Sequence, residues 1–268
     1  MIDCVLRQRA VPAQPVLNRI PLTALTIVDE DDYSRIPLYA KLRGVLVDAN
    51  AHYLVAPPGA LARWDQVLLL NLTFWKPDEQ DDVLVDRMLT ADALMHRAWH
   101  HVAHRALGEA STTRQGLAMG EAIASAFDLY LVGTLLRTRP GAEMLQTQVP
   151  AMADAAVEAG LSEEEFEALI AQVASDPTGS FESLRSLLFE VTYALSNCHD
   201  VEQAAAVLLR HAEHPLAPLL HHYELTNWTL YSRVYARAGN SKPVEDLHVA
   251  LSSSDDSLAW LASHWLSP

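Results

Sequence analysis

The sequence predicts an α+β fold that is predominantly α-helical, with a small N-terminal β-containing part followed by a helical body. Three observations carry this. Short β-type runs broken by Pro and Asp are confined to the beginning of the chain. From about residue 82 onward, Ala and Leu dominate and β-branched runs disappear. Of the 268 residues, 50% are hydrophobic, enough to bury a real core. The expected division is 1–80 as an N-terminal α+β part with strands and 81–268 as the helical body, either as two parts or as one continuous domain.

Taken in order, Ala24-Leu-Thr-Ile-Val28 reads as a strand stopped by the acidic run Asp29-Glu-Asp-Asp32. Gly44–Asp48 and Ala51–Val55 read as two strands of a hairpin around Asp48-Ala-Asn50, and Pro57-Pro-Gly59 as a turn. Gln66–Trp75 is the clearest strand, ended by Pro77-Asp-Glu. Helices are expected near 82–107, 115–137, 145–159, 163–174, 180–196, 200–213, 216–238, 243–252 and 256–265. Ser162-Glu-Glu-Glu, just after Gly160, has the form of an N-cap with acidic residues in the first turn. Gly108, Pro140, Gly160, Pro177, Pro215 and Gly239 punctuate the intervals.

Charge and cysteine content exclude several classes. The balance of 19 Lys+Arg against 34 Asp+Glu gives a net charge of −15. Nucleic acid and anionic membrane surfaces both need a basic footprint, so neither is expected as a partner. Two cysteines, Cys4 and Cys198, make neither a disulfide scaffold nor a thiolate zinc site. The N-terminus lacks a basic stretch followed by a long apolar one. The most apolar run, Val67–Trp75, falls short of the ~18 residues that span a bilayer. The expectation is a cytoplasmic protein with reduced thiols. No Gly-rich phosphate loop, Gly-x-Ser-x-Gly elbow or Cys-x-x-Cys is present.

Histidine is the anomaly. Four of the twelve fall in Thr90-Ala-Asp-Ala-Leu-Met-His-Arg-Ala-Trp-His-His-Val-Ala-His-Arg-Ala-Leu-Gly108. On a helix His96, His100 and His104 share a face at i, i+4 and i+8, while His101 points elsewhere. Side chains four apart have Cβ atoms ~6 Å from each other, a spacing that suits two imidazoles on one metal ion. His96 and His104 are ~12 Å apart along the axis and cannot share an ion. One neighbouring pair therefore ligates and the third stands behind it, or the stripe is a solvated, hydrogen-bonded histidine cluster.

A third ligand must come from another element. The next helix, Gly116–Gly133, is apolar nearly all round, as a buried helix is. Its polar interruptions, Glu121, Ser125 and Asp128, lie on one narrow stripe. A buried carboxylate needs a counter-ion or a metal. A histidine–metal cluster would satisfy Glu121; so would a guanidinium from Arg87, Arg97 or Arg105.

His100-His-Val-Ala-His104 followed by Gly120-Glu-Ala-Ile-Ala-Ser-Ala-Phe-Asp128 resembles the gluzincin (thermolysin-like) metallopeptidases. That family carries His-Glu-apolar-small-His on one helix and a zinc-binding Glu on a later one. The resemblance covers about residues 65–135. It implies His100, His104 and Glu121 as ligands of Zn2+, with Ser125, Asp128 and His96 supporting them from behind. His101 stands where the family has its catalytic Glu and would be the base in its place. An alternative frame, His96-Arg-Ala-Trp-His100, lengthens the interval to Glu121 and puts Arg97 in the base position. The resemblance further implies that Val67–Trp75 is an edge strand able to hold an extended substrate.

Elsewhere, His211-Ala-Glu-His214 and His221-His-Tyr-Glu224 form a second cluster, placed near helix ends where His meets the macrodipole. Asn227, Trp228, Tyr231, Arg233, Tyr235 and Arg237 make a polar-aromatic helix. Three functions compete. The first is a metal-dependent enzyme on a metallopeptidase-like scaffold, with altered chemistry and a peptide or small-molecule substrate. The second is a non-haem iron oxygenase or oxidase using Fe2+ in a 2-His-1-carboxylate site. The third is a non-catalytic pseudo-peptidase serving as a binding or scaffold protein.

Overall fold

The structure, a computed structural model, describes residues 17–55 and 82–266. The turn expected at 57–59 and the strand expected at 66–75 lie outside the described residues. The fold is α+β and predominantly helical, with a small N-terminal sheet. The described residues fall into two compact units, one of 17–28, 46–55 and 82–90, the other of 29–45 and 91–266.

The first unit holds the strands. β1 (Asn18–Pro21) pairs antiparallel with β3 (His52–Val55), from Asn18 opposite Val55 to Pro21 opposite His52. β4 (Val83–Leu84) joins β3 in parallel, and β2 (Thr26–Ile27) pairs in parallel with β5 (Met88–Leu89). Alternation along β3 buries Tyr53 and Val55 while their neighbours stay half-exposed, as the two-residue period requires. The strand expected over 24–28 is reduced to Thr26–Ile27, because a 3₁₀ turn occupies Leu22–Ala24.

The hairpin expected from Gly44 to Val55 does not form. Residues 44–48 are the second half of a helix, α2 (Tyr39–Asp48), which follows the short α1 (Glu30–Tyr33). Val45 and Val47 give the segment a strand-like look, but the deciding pattern is Leu38, Leu42 and Leu46. These repeat every four residues, and the last two are fully buried. Asn50, at φ 51°, turns the chain out of the helix into β3.

The second unit is the helical body. It comprises α3 (Ala91–Leu107), α4 (Arg114–Thr138), α5 (Glu143–Glu158), α6 (Glu163–Ser175), α7 (Pro177–Ser196), α8 (Val201–Arg210), α9 (Leu225–Tyr235), α10 (Lys242–Ser252) and α11 (Ser257–Trp265). The helix expected from 82 begins only at Ala91, since 83–84 and 88–89 are strands. The one expected over 216–238 divides into a 3₁₀ turn at Ala217–His221 and α9. Asp29, which follows the end of β2 as expected, also caps α3: its Oδ1 accepts the Ala91 N–H at 2.7 Å. Ser162 caps α6 in a full capping box with Glu165.

α4 is the central rod, packed against α3, α6 and α7. It is long and apolar enough to cross a bilayer by composition, and most of that apolar surface is buried within the body. Glycine permits the closest approach: a Cβ on Gly133 would stand 2.5 Å from the Val173 carbonyl oxygen of α6. On α7 the fully buried Arg185 is gripped by Glu182, with Nε to Oε2 at 2.8 Å. It also reaches α10, through His248 Nδ1 at 3.3 Å and Ser252 Oγ at 3.2 Å.

Candidate metal centre

α3 and α4 are consecutive, joined by a short 3₁₀ turn at Gly108–Thr112, and Thr113 caps α4 by accepting the Gly116 N–H at 3.0 Å. So short a link makes the two helices an antiparallel hairpin. α3 buries Leu94, Met95, Ala98, Trp99 and Val102 completely, which fixes its rotation and anchors Trp99 edge-on against Phe127 of α4. The adjacent stripe, bearing His96 and His100, is thereby turned toward α4.

The structure brings His96, His100 and Glu121 together. One ligand atom from each lies within 4.8 Å of the others, the group with this geometry among the described residues. His100 Nε2 is 3.2 Å from His96 Nε2 and 3.5 Å from Glu121 Oε1. Glu121 thus faces an imidazole rather than a guanidinium. Asp128 Oδ2 lies 2.8 Å from His96 Nδ1. Each of the four side chains is about a third exposed or less, from 27% for Asp128 to 34% for His100, so the cluster opens to solvent on one side.

These contacts fix proton positions. Against the Asp128 carboxylate His96 Nδ1 is the donor, which makes Nε2 the acceptor nitrogen of that ring. His100 Nε2–H can donate to that nitrogen. Burial lowers the pKa of His100, opposed by the Glu121 charge and assisted by His96, so the ring is neutral near pH 7. Burial raises the pKa of Asp128, and its interaction with His96 pulls the other way.

The donor set fits a small divalent ion. Bonds of about 2.0–2.1 Å in tetrahedral geometry place neighbouring ligand atoms about 3.3 Å apart, and bracketing values of 3.2 and 3.5 Å are found. Two neutral imidazoles and one carboxylate suit zinc or iron(II).

The remaining candidates lie apart from this cluster. His104, in the ligand pair implied by the family resemblance, is exposed one turn beyond His100. The pair that meets Glu121 is His96 with His100. His101 is half-buried, its pKa lowered by burial and by Arg105, His104 and Arg97. Ser125 is buried on α4 between Glu121 and Asp128. The second histidine cluster is engaged locally: His214 lies 3.3 Å from Ser183 Oγ and accepts the Leu216 N–H, while Glu224 Oε2 accepts from Asn227 at 2.6 Å.

Three tyrosines from remote segments have raised pKa values. Burial raises the pKa of Tyr33 of α1, of Tyr223, before α9, and of Tyr231 of α9; nearby carboxylates add to it, Asp92, Asp29 and then Asp128 at Tyr33, Asp128 at Tyr223 and Glu121 at Tyr231. Spacing along the chain carries no sign of the first two. Tyr231 belongs to the polar-aromatic segment noted in the sequence. Compared with models of protein families, with curated proteins and with solved structures, the chain matches none.

Proposed function

We propose that His96, His100 and Glu121 bind one divalent transition-metal ion, zinc in the first instance and iron(II) in the second, and that the protein is a metal-dependent enzyme of hydrolytic type. The observation that carries this is the meeting of two imidazole nitrogens and a carboxylate oxygen at ligand spacing on two helices. The orientation of His96 by Asp128 supports it, since a carboxylate behind a ligand imidazole fixes its tautomer. Three protein ligands leave a position open, and the partial exposure of all three lets a substrate reach it. A zinc ion so held supplies Lewis acidity and a bound water ionising near pH 7.

The residue following the first ligand is Arg97, and the one following the second is His101. Neither is the glutamate that serves as base in gluzincins, so the reading is a metal-dependent enzyme whose chemistry is not that of a glutamate-assisted peptidase.

The test is elemental analysis of the purified protein, with reconstitution by Zn2+, Fe2+ and Co2+ after chelation. One ion per chain is expected. It should be lost in His96→Ala, His100→Ala and Glu121→Ala and kept in His104→Ala. A wild-type chain that takes up none of the three ions, or a His104→Ala variant that loses the ion while His96→Ala retains it, overturns the proposal.

A further inference from the structure

The ends of three helices meet in one place. The Arg237 N–H, just past α9, donates to Thr112 O at 2.8 Å and lays the end of α9 beside the start of α4. Earlier on α9, Arg233 reaches the end of α7. Its Nε donates to Ser196 O at 3.3 Å, and its Nη2 donates to Leu195 O at 3.2 Å and to Cys198 O. At this junction lies an open cleft of about 320 Å³, lined by Arg114, Ser196, Cys198, His199 and Arg233.

The cleft gathers cationic groups without a carboxylate. Its lining holds two arginines and a histidine and no acid, in a chain with 34 Asp+Glu against 19 Lys+Arg. Among the described residues, the Arg114 guanidinium has no ion-pair or hydrogen-bond partner. Arg233 makes its carbonyl bonds through Nε and Nη2, one edge of the guanidinium, and Nη1 is left over. His199 is held by its backbone N–H, which donates to Gln203 Oε1 at 2.9 Å, and its ring is unengaged among the described residues. The adjacent acid, Asp200, is already spent as the cap of α8, accepting from Gln203 N–H at 2.8 Å and Gln203 Nε2 at 3.0 Å. Arg114 is also the first residue of α4, whose first turn contains no acidic residue. The helix dipole disfavours a cation there, and an anion beside it reverses the sign of that interaction.

We propose that this cleft binds a phosphate group, carried by inorganic phosphate or by a small phosphomonoester, with Arg114, Arg233 and His199 as its donors. Guanidinium is the side chain whose paired N–H groups match phosphate oxygens. Arg233 is held in advance by three carbonyls, so little side-chain freedom is lost when the anion arrives. A volume of about 320 Å³ lies at the lower end of small-molecule sites, which leaves room for a small organic group beside the phosphate. The free thiol of Cys198 in the lining is a built-in reporter of occupancy. None of this rests on the metal-site reading.

The test uses the full chain and three probes: inorganic phosphate, phenyl phosphate and succinate. Titration calorimetry should show one phosphate per chain. In parallel, phosphate should slow alkylation of Cys198 by iodoacetamide, read by mass spectrometry of the peptide that carries it. Arg114→Gln removes a guanidinium that holds nothing else among the described residues, so the fold should persist, as circular dichroism will show. It should weaken phosphate binding roughly tenfold, the worth of one charge-assisted hydrogen bond, and abolish the protection of Cys198. Arg233→Lys keeps the charge, loses the fork and should weaken binding as well. His100→Ala, in the candidate metal centre, should bind phosphate as the wild type does. Tighter binding of phenyl phosphate assigns the cleft to a phosphomonoester, and tighter binding of inorganic phosphate assigns it to the free ion. No heat and no protection at millimolar phosphate overturns the proposal. So does binding that survives Arg114→Gln unchanged, binding lost in His100→Ala, or succinate bound as tightly as either phosphate.

Discussion

Adding Zn2+ to the metal-free protein should raise its thermal unfolding temperature, and the size of the rise is set by the ratio of free Zn2+ to its dissociation constant. His96 Nε2, His100 Nε2 and Glu121 Oε1 already stand at 3.2 and 3.5 Å along the two measured edges, close to the ~3.3 Å of a tetrahedral zinc site. All three ligand atoms lie within 4.8 Å of one another, so the set is close to the span of one ion. At free Zn2+ one hundred times the dissociation constant, linkage gives about 2.7 kcal/mol. For a helical body of this size each kcal/mol is worth about 2–4 °C, so the rise should be about 5–10 °C. Scanning calorimetry with Zn2+, with Mg2+ and with chelator measures it. His96→Ala, His100→Ala and Glu121→Ala should abolish the rise and His104→Ala should preserve it. A rise of equal size in His100→Ala, or with Mg2+, would show the ion sitting on the acidic surface and would refute the reasoning.

Three further outcomes are expected. Glu182→Ala leaves the buried Arg185 guanidinium without its carboxylate and should cost about 3 kcal/mol in denaturant unfolding, most of it recovered when Arg185→Met is added; equal stability of both variants would count against it. Gly133→Ala drives a methyl group to 2.5 Å from a backbone oxygen of α6 and should destabilise by about 1–3 kcal/mol, read from the thermal midpoint. The pKa values of His100, His101, His214, His222 and His248 all lie below the ordinary 6.5, with burial the largest cause in each. The unfolded chain therefore binds more protons than the folded one near and below that pH. Stability should fall as pH drops from about 8 to about 6, and denaturant midpoints that stay level over that range contradict the assignment.

The helical body was readable because its signals are local. Ser162 with Glu165, Pro177 at a first turn and glycine past the helix ends mark boundaries that the structure reproduces within a few residues. The strand misassigned at 44–48 had competing signals: two valines suggested a sheet, and a four-residue leucine repeat, decisive only once its burial is known, made a helix. The candidate site was half readable. The residue types, and Glu121 as the carboxylate that meets the histidine stripe, follow from composition and burial. Which two histidines face Glu121 depends on the register between two helices, which spacing within one helix does not give. One signal was available. Counting outward from the turn after α3, His100 stands level with Glu121, and His104 stands level with Leu117.

The four polar side chains of the centre belong to one helical hairpin, with only 32 residues between His96 and Asp128. Closing such a short loop costs little chain entropy, and helices adjacent in sequence dock early. The two imidazoles and the carboxylate can therefore meet early in folding. On the metal-site reading proposed above, the ion would act first as a guide to assembly, and its supply during synthesis would govern how much of the chain reaches the native state.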